Sequence, residues 1–189
     1  MAKLYFQYGV MGAGKSLLLL AKAHNFKDRG IECKILKSSI DTRDQGVIKS
    51  RALGNKVPCE IITPNTNIYK LVLSWKNEVK WILVDEAQFL TPEQVDQLTD
   101  LVDRLNISII CYGLRTDFQT NLFPGSKRLF EVADSFEEMK STCSCGKKAS
   151  INARINSDGS ICTEGNQVEC GAEDKYITLC RSCYKRKRG

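Results

Sequence analysis

Residues Gly9-Val10-Met11-Gly12-Ala13-Gly14-Lys15-Ser16 spell G-x-x-x-x-G-K-S between an apolar stretch, Leu4-Tyr5-Phe6-Gln7-Tyr8, and a helix-like run, Leu17-Leu18-Leu19-Leu20-Ala21-Lys22-Ala23. A strand feeding a glycine-rich loop that opens a helix is the setting in which this motif carries meaning. Glycines let the backbone wrap closely around phosphates, and successive N–H groups at a helix N-terminus donate to the oxygens. Lys15 is expected to reach the β- and γ-phosphates of a nucleoside triphosphate, and Ser16 to hold Mg²⁺. The competing reading is a glycine-rich turn that spells the pattern by chance.

Strand-like and helix-like segments alternate after the loop. Residues 15–29 read as a helix stopped by Gly30, residues 32–36 and 60–63 as short strands, and residues 67–75 as a second helix. Trp81-Ile82-Leu83-Val84 is continuously apolar, as a strand buried on both faces must be. Thr91-Pro92-Glu93-Gln94 combines an N-cap, a proline at the first helical position and a capping-box glutamine. Val95, Leu98, Val102 and Leu105 then fall on one helical face. Residues 107–112 form another buried strand, ended by Gly113. Such alternation builds a mostly parallel α/β sheet with helices on both faces.

Asp85-Glu86-Ala87-Gln88 sits at the carboxyl end of the strand read at 81–84, where open α/β sheets bind their ligands. A carboxylate at that point binds Mg²⁺ directly or through water. Two adjacent carboxylates can divide the work, one on the metal and one beside the nucleophile. An Asp-Glu-x-Gln sequence also occurs in helicase boxes, but helicases normally need two ATPase cores and 189 residues leave room for one.

Nine cysteines lie in a chain with no apolar run near the length of a bilayer and no signal-peptide pattern at its N-terminus. The expectation is a cytoplasmic protein whose cysteines are thiols and metal ligands rather than disulfides. Cys143-Ser144-Cys145 and Cys180-Arg181-Ser182-Cys183 are two close pairs at the ends of a loop-rich segment, which suits a structural tetrahedral Zn²⁺ site. Cys162 and Cys170 are rival ligands. Cys33, Cys59 and Cys111, in or beside apolar strands, read as inert core thiols. His24 reads as an ordinary helix residue. The net charge of +6 lies partly in Lys185-Arg186-Lys187-Arg188, a basic tail that either touches nucleic acid or is simply solvated.

The order of these features resembles that of the zinc-containing type II thymidine kinases, in their bacterial and phage branch. It runs from the phosphate loop through Asp41-Thr42-Arg43, Asp85-Glu86-Ala87-Gln88-Phe89 and Gly113-Leu114-Arg115-Thr116-Asp117-Phe118 to the two cysteine pairs, across nearly the whole chain. The resemblance implies a P-loop kinase domain over residues 1–140 and a zinc-binding domain over 141–189 that carries a lasso-like substrate lid. It implies Glu86 as the base for the 5′-hydroxyl of thymidine, and Gly9 to Ser16, Asp41, Thr42, Arg43, Asp85 and Gln88 on the ATP, phosphate and Mg²⁺ side. Phe89, Phe118, Gln167, Val168, Glu169, Cys170, Gly171 and Tyr176 would contact the nucleoside, although on the residues alone Phe118 and Tyr176 read as plain core aromatics, and Cys143, Cys145, Cys180 and Cys183 would hold the zinc. Where the family's lid more often has an aliphatic residue and a glycine, this chain has Cys170 and Ala172.

The activity so implied is transfer of the γ-phosphate of ATP to thymidine, with deoxyuridine a further substrate, in nucleotide salvage. The family also implies inhibition by thymidine triphosphate and a homotetramer. Neither a membrane nor nucleic acid is an expected partner. The alternative from another class is a zinc-knuckle P-loop ATPase that binds nucleic acid, although aromatics are not interleaved with the basic tail and no long basic stripe is present.

Overall fold

The structure, a computed structural model, describes residues 1–41, 46–49, 56–75, 78–168 and 175–188. In chain order its first elements are β1 (Leu4–Gly9), α1 (Lys15–Asp28), β2 (Cys33–Ser38), β3 (Val47–Lys49), β4 (Lys56–Pro58), β5 (Glu60–Ile62) and α2 (Ile68–Leu73). They continue with β6 (Trp81–Asp85), a 3-10 turn (Ala87–Phe89), α3 (Pro92–Leu105), β7 (Ser108–Gly113), α4 (Pro124–Val132) and β8 (Ser135–Met139). The C-terminal part holds β9 (Ser141–Thr142), β10 (Lys148–Ala149), β11 (Ile151–Arg154), β12 (Tyr176–Leu179) and α5 (Arg181–Arg188).

Six strands form one sheet in the order β5-β2-β6-β7-β1-β8, and every neighbouring pair is parallel. The continuous apolar runs are explained by burial on both faces. From β1, β6 and β7, Leu4, Phe6, Ile82, Val84, Ile109 and Cys111 join one core with α2, α3 and α4. Leu83, Ile110 and Tyr112, which alternate with them, pack on the opposite face with Leu19 and Leu20 of α1. Helices therefore cover both faces, as the alternation requires.

Local signals operate where the sequence places them. Thr91 and Gln94 exchange the two bonds of the capping box, each at 3.2 Å. The Gln94 amide also donates to the carbonyls of Thr63 and Thr66, which ties α3 to the turn after β5. Val95, Leu98 and Val102 are buried, whereas Leu105, at the end of α3, is 36% exposed. Asn67 caps α2 by accepting from the Lys70 N–H at 2.8 Å.

Two elements of the main sheet region carry no such sequence signal. Edge strand β8 reads Ser-Phe-Glu-Glu-Met and exposes most of its side chains, so it lacks an apolar run. Helix α4 begins Pro-Gly-Ser, and Gly125 is what lets it approach the 3-10 turn: a Cβ there would stand 2.6–2.9 Å from the carbonyls of Leu90, Ala87 and Gln88. That close packing fixes the turn that follows Asp85 and Glu86.

The last four strands pair as two short antiparallel ribbons, β9 with β10 and β11 with β12. With the adjoining loops and α5 they form a third core from Cys143, Ala149, Ile151, Ala153, Ile161, Leu179, Cys180, Cys183 and Tyr184. Val10 of the phosphate loop is part of that same core, with Ala13 packed against it. The C-terminal strands thus rest directly on the loop.

Candidate active site

Gly12 and Gly14 adopt φ of +73° and +84°, in the left-handed region where glycine has no Cβ penalty. Gly14 is the N-cap of α1, so the loop turns straight into the helix and its amides gather at the positive end of the dipole. Lys15 is buried and its ammonium donates to the Val10 carbonyl at 2.9 Å, holding the cation across the loop. On the next residue, the Ser16 hydroxyl donates to Asp85 Oδ2 at 3.4 Å.

That last contact follows from strand order. β7 lies between β1 and β6, and all three end on the same side of the sheet. Asp85 terminates β6 and is 4% exposed, with its Oδ1 accepting from the Glu86 N–H at 3.1 Å. Burial, then the adjacent Glu86 carboxylate, pushes Asp85 up to about 7, against the opposing pull of the Glu86 N–H, Lys15 and Lys37. The Asp85 carboxyl and the Ser16 hydroxyl are oxygen donors of the kind a hard divalent cation takes, and a cation there would favour the ionised carboxylate.

Glu86 has φ +52° and ψ +40°, a left-handed conformation unusual for a residue with a side chain. It leads into the 3-10 turn, from which Gln88 returns to donate from Nε2 to Glu86 Oε2 at 2.6 Å. Gln88 Oε1 in turn accepts from the Leu114 N–H at 2.9 Å. Gln88, expected on the nucleotide side, is therefore buried between Glu86 and the end of β7.

Lys37 escaped the sequence reading. It is the register partner of Asp85 on neighbouring strand β2, and it is 4% exposed. Its ammonium lies 3.2 Å from Asp41 Oδ2. Asp41 is thus tied to the strand beside β6 through Lys37, while Thr42 and Arg43 lie outside the described residues. A lysine in an apolar strand is a signal that could have been read, because burial of an ammonium demands a partner.

Around the proposed nucleoside site the organising side chain is Arg154, also absent from the sequence reading. It is 3% exposed on β11, with its guanidinium 3.9 Å above the Phe118 ring. It donates to the Tyr176 hydroxyl from Nε and Nη2, at 2.9 and 2.7 Å, and to the Asn166 carbonyl at 2.9 Å. Phe118 is itself fully buried, and its carbonyl accepts from the Tyr184 hydroxyl at 3.3 Å. The Gln167 amide donates to Asp117 Oδ2 at 2.9 Å, and Val168 is half-buried beside it in sequence. Phe89 packs edge-on against Phe123, 5.7 Å between centroids. Glu169, Cys170 and Gly171, with Ala172, lie outside the described residues.

The sulfurs of Cys143, Cys145, Cys180 and Cys183 all lie within 4.8 Å of one another, a group placed to bind a metal ion. A tight turn in which Gly146 N–H donates to the Cys143 carbonyl brings the first pair together. The Cys183 N–H donates to Cys180 Sγ at 3.4 Å in the second. Backbone N–H groups of Cys145 and Cys180 hold the Cys143 thiol down to about 6, whereas hydrogen bonds with Cys145 and Cys180 push Cys183 up to about 12, so the four clustered sulfurs do not all ionise readily without a cation between them. Cys162 points elsewhere, donating to the Glu164 carbonyl at 3.0 Å. Burial raises Cys33 to about 12 and Cys59 to about 11, and leaves Cys111 higher still, as expected of inert thiols. His24 is exposed and pairs with Asp28 at 3.2 Å. Among the described residues, no helix is long and apolar enough to cross a membrane.

A phosphate loop facing a carboxylate pair across an intervening parallel strand defines a P-loop protein equipped for phosphoryl transfer, here with a four-cysteine lobe resting on the loop. The family model described as thymidine kinase matches residues 2–184. A thymidine kinase of Haemophilus influenzae is 44% identical over 192 residues, spanning 100% of this chain and 99% of its own length. That of Enterobacteria phage T4 is 45% identical over 184 residues, 96% of this chain and 94% of its own. Another from Mannheimia succiniciproducens is 42% identical over 192 residues, covering 100% and 98%. A solved Pif1 helicase from Candida albicans overlays 74% of this chain and 36% of its own at 16% identity and a TM-score of 0.45, too remote to bear on function. The chain belongs to the thymidine kinase family.

Proposed function

We propose that this protein transfers the γ-phosphoryl group of ATP to the 5′-hydroxyl of thymidine, and of deoxyuridine, giving the nucleoside monophosphate and ADP in nucleotide salvage. The observation that carries the proposal is the pairing of Asp85 with Ser16 on the phosphate side and of Glu86 with Gln88 beside it. In this reading Asp85 serves the triphosphate side and the neighbouring Glu86 takes the proton of the acceptor hydroxyl. The family match favours this reading over a nucleic-acid-binding ATPase.

In the reaction, the loop amides of Gly9 to Ser16 and the Lys15 ammonium carry the phosphate charge. Asp41, with Thr42 and Arg43, serves the same side. Ser16 and Asp85 would hold Mg²⁺, which supplies charge neutralisation on the transferred group. Glu86 accepts the 5′-hydroxyl proton as that oxygen bonds to the γ-phosphorus and the bond to ADP breaks. General-base assistance of this kind contributes on the order of 10²–10⁴-fold. Phe89, Phe118, Tyr176 and the segment from Gln167 to Gly171 enclose the base and sugar.

The four cysteines would hold Zn²⁺, whose role is structural: it closes the 141–189 domain and anchors the lid to the kinase domain of 1–140. The enzyme acts as a cytoplasmic homotetramer, inhibited by thymidine triphosphate with its base under the lid and its phosphates on the loop. A panel of nucleosides with ATP and Mg²⁺ tests the assignment. Thymidine and deoxyuridine should be phosphorylated and deoxycytidine should not, because its base edge leaves hydrogen-bonding groups in the pocket unpaired. Nucleoside-independent ATP hydrolysis, with no monophosphate formed, would refute it.

A further inference from the structure

Gln88 is 1% exposed and both ends of its amide are engaged. Nε2 donates to Glu86 Oε2 at 2.6 Å and Oε1 accepts from the Leu114 N–H at 2.9 Å. The second bond decides the first. An N–H can only donate, so Leu114 selects the carbonyl end of the amide, and the NH₂ end must turn toward Glu86. Leu114 is itself held, because its carbonyl accepts from the buried Ser126 hydroxyl at 2.6 Å. Gly113 completes the seat: a Cβ there would stand 2.9 Å from Gln88 Oε1 and 3.1 Å from the Gln88 nitrogen. A chain of directed contacts therefore runs from α4 through the end of β7 to one oxygen of Glu86.

From this geometry we infer that Gln88 is a positioning residue for the reaction: it sets the plane of the Glu86 carboxylate rather than binding phosphate. The backbone explains the need. Glu86 occupies a left-handed conformation at the end of β6, and a carboxylate on a flexible side chain has many rotamers there. A bond to a fully buried, doubly held amide selects one of them, and misplacement of a reacting group by about 1 Å can cost on the order of 10²-fold. The inference rests on the reading of Glu86 as the base.

Two substitutions separate the contacts. Gln88→Leu removes both, whereas Gln88→Glu keeps an acceptor for Leu114 but puts a carboxylate against Glu86. Both should lower kcat about tenfold or more, with KM for ATP and for thymidine changed by less than about threefold, since the loss falls on the chemical step. Gly113→Ala, which displaces the amide without altering either group, should lower kcat in the same direction. The decisive measurement is a double-mutant cycle with Glu86→Gln. Once the carboxylate is gone, adding Gln88→Leu should slow turnover by no more than about twofold.

Native kcat in Gln88→Leu, or a raised KM for ATP at native kcat, would overturn the inference while leaving Glu86 as base. So would multiplicative losses in the cycle, which are the signature of a purely structural residue. Near-native turnover in Glu86→Gln alone would instead remove the base reading, and this inference with it.

Discussion

The Asn152 side-chain carbonyl accepts a hydrogen bond from the backbone N–H of Met11 at 2.7 Å, across 141 residues of sequence. Asn152 is 4% exposed on β11, and Met11 is in the phosphate loop. With Val10 sharing the core of the cysteine-bearing lobe, the bond makes that lobe a support for nucleotide binding. Asn152→Ala should therefore weaken ATP binding. A net hydrogen bond is worth about 1 kcal/mol, or roughly a fivefold rise in Kd by calorimetry with a non-hydrolysable analogue. An unchanged Kd would mean that the loop holds its shape without this support.

Metal removal should reach the same site by a longer route. Purified protein is expected to carry about one Zn²⁺ per chain. Cys143→Ser should lose it and Cys162→Ser should keep it, by elemental analysis. Because Cys143, Cys180 and Cys183 share their core with Val10, Cys143→Ser should impair ATP binding as well as thymidine binding. If zinc is lost from the Cys162 variant and retained in the Cys143 variant, the four sulfurs are not the ligands.

Asp85 gives the nucleotide-free protein a pH dependence. Its carboxyl is raised from 3.8 to about 7 in the folded chain, so between those values the folded state keeps a proton that the unfolded state has lost. The contribution to stability is full below about pH 4 and is lost as pH rises toward 7. Asp85→Asn removes that loss. In Mg²⁺-free buffer at pH 7.5 or above it should be more stable than the native chain by a few kcal/mol, on the order implied by 1.36 kcal/mol per pKa unit. The difference should shrink toward pH 4. Equal urea midpoints at both pH values would show that Asp85 ionises without this cost.

How far the site could be read in advance depended on whether a residue's role is local. The phosphate loop is a contiguous motif, and placing Asp85 required only that residues 81–84 be a buried strand. The cysteine pairs declare themselves by spacing. Lys37, Asn152 and Arg154 do not, since each is a polar residue in a strand whose partner is set by tertiary packing: Asp41, Met11, and Phe118 with Tyr176. Gln88 was legible as part of the motif, but its orientation depends on Leu114, 26 residues away. Edge strand β8 and helix α4 went unread for a related reason. One has an exposed polar face, and the other carries Gly125 in its first turn, a glycine that the sequence presents as a breaker and the packing requires.

The buried pair Lys37–Asp41, 5% and 7% exposed at their side chains, should be costly to split. Removing one member of such a pair typically costs about 3–5 kcal/mol, whereas replacing both costs far less. Lys37→Met should thus destabilise the protein by about 3 kcal/mol, and Lys37→Met with Asp41→Asn should recover part of that. Additive losses in urea titrations would show that the two side chains do not depend on each other.

Arg154 offers the cleanest separation of nucleoside from nucleotide binding. One guanidinium covers Phe118 at 3.9 Å and holds both the Tyr176 hydroxyl and the Asn166 carbonyl. Asn166 directly precedes the segment proposed to close on the base, and none of the three points belongs to the phosphate loop. Charge-assisted bonds of this kind are worth about 1.5–3 kcal/mol each. Arg154→Met keeps much of the side-chain bulk and loses every donor, so it should raise KM for thymidine by about tenfold or more. The Kd for ATP should stay within about twofold, because the bond from the Met11 N–H to Asn152 is untouched two residues away on the same strand. Arg154→Lys should restore little, since an ammonium cannot match the planar stack on Phe118 together with the fork to Tyr176 and Asn166. Steady-state kinetics with thymidine varied, beside ATP calorimetry, reads both quantities. A parallel loss of ATP and thymidine affinity would mean that Arg154 holds the whole C-terminal lobe rather than the nucleoside end of it.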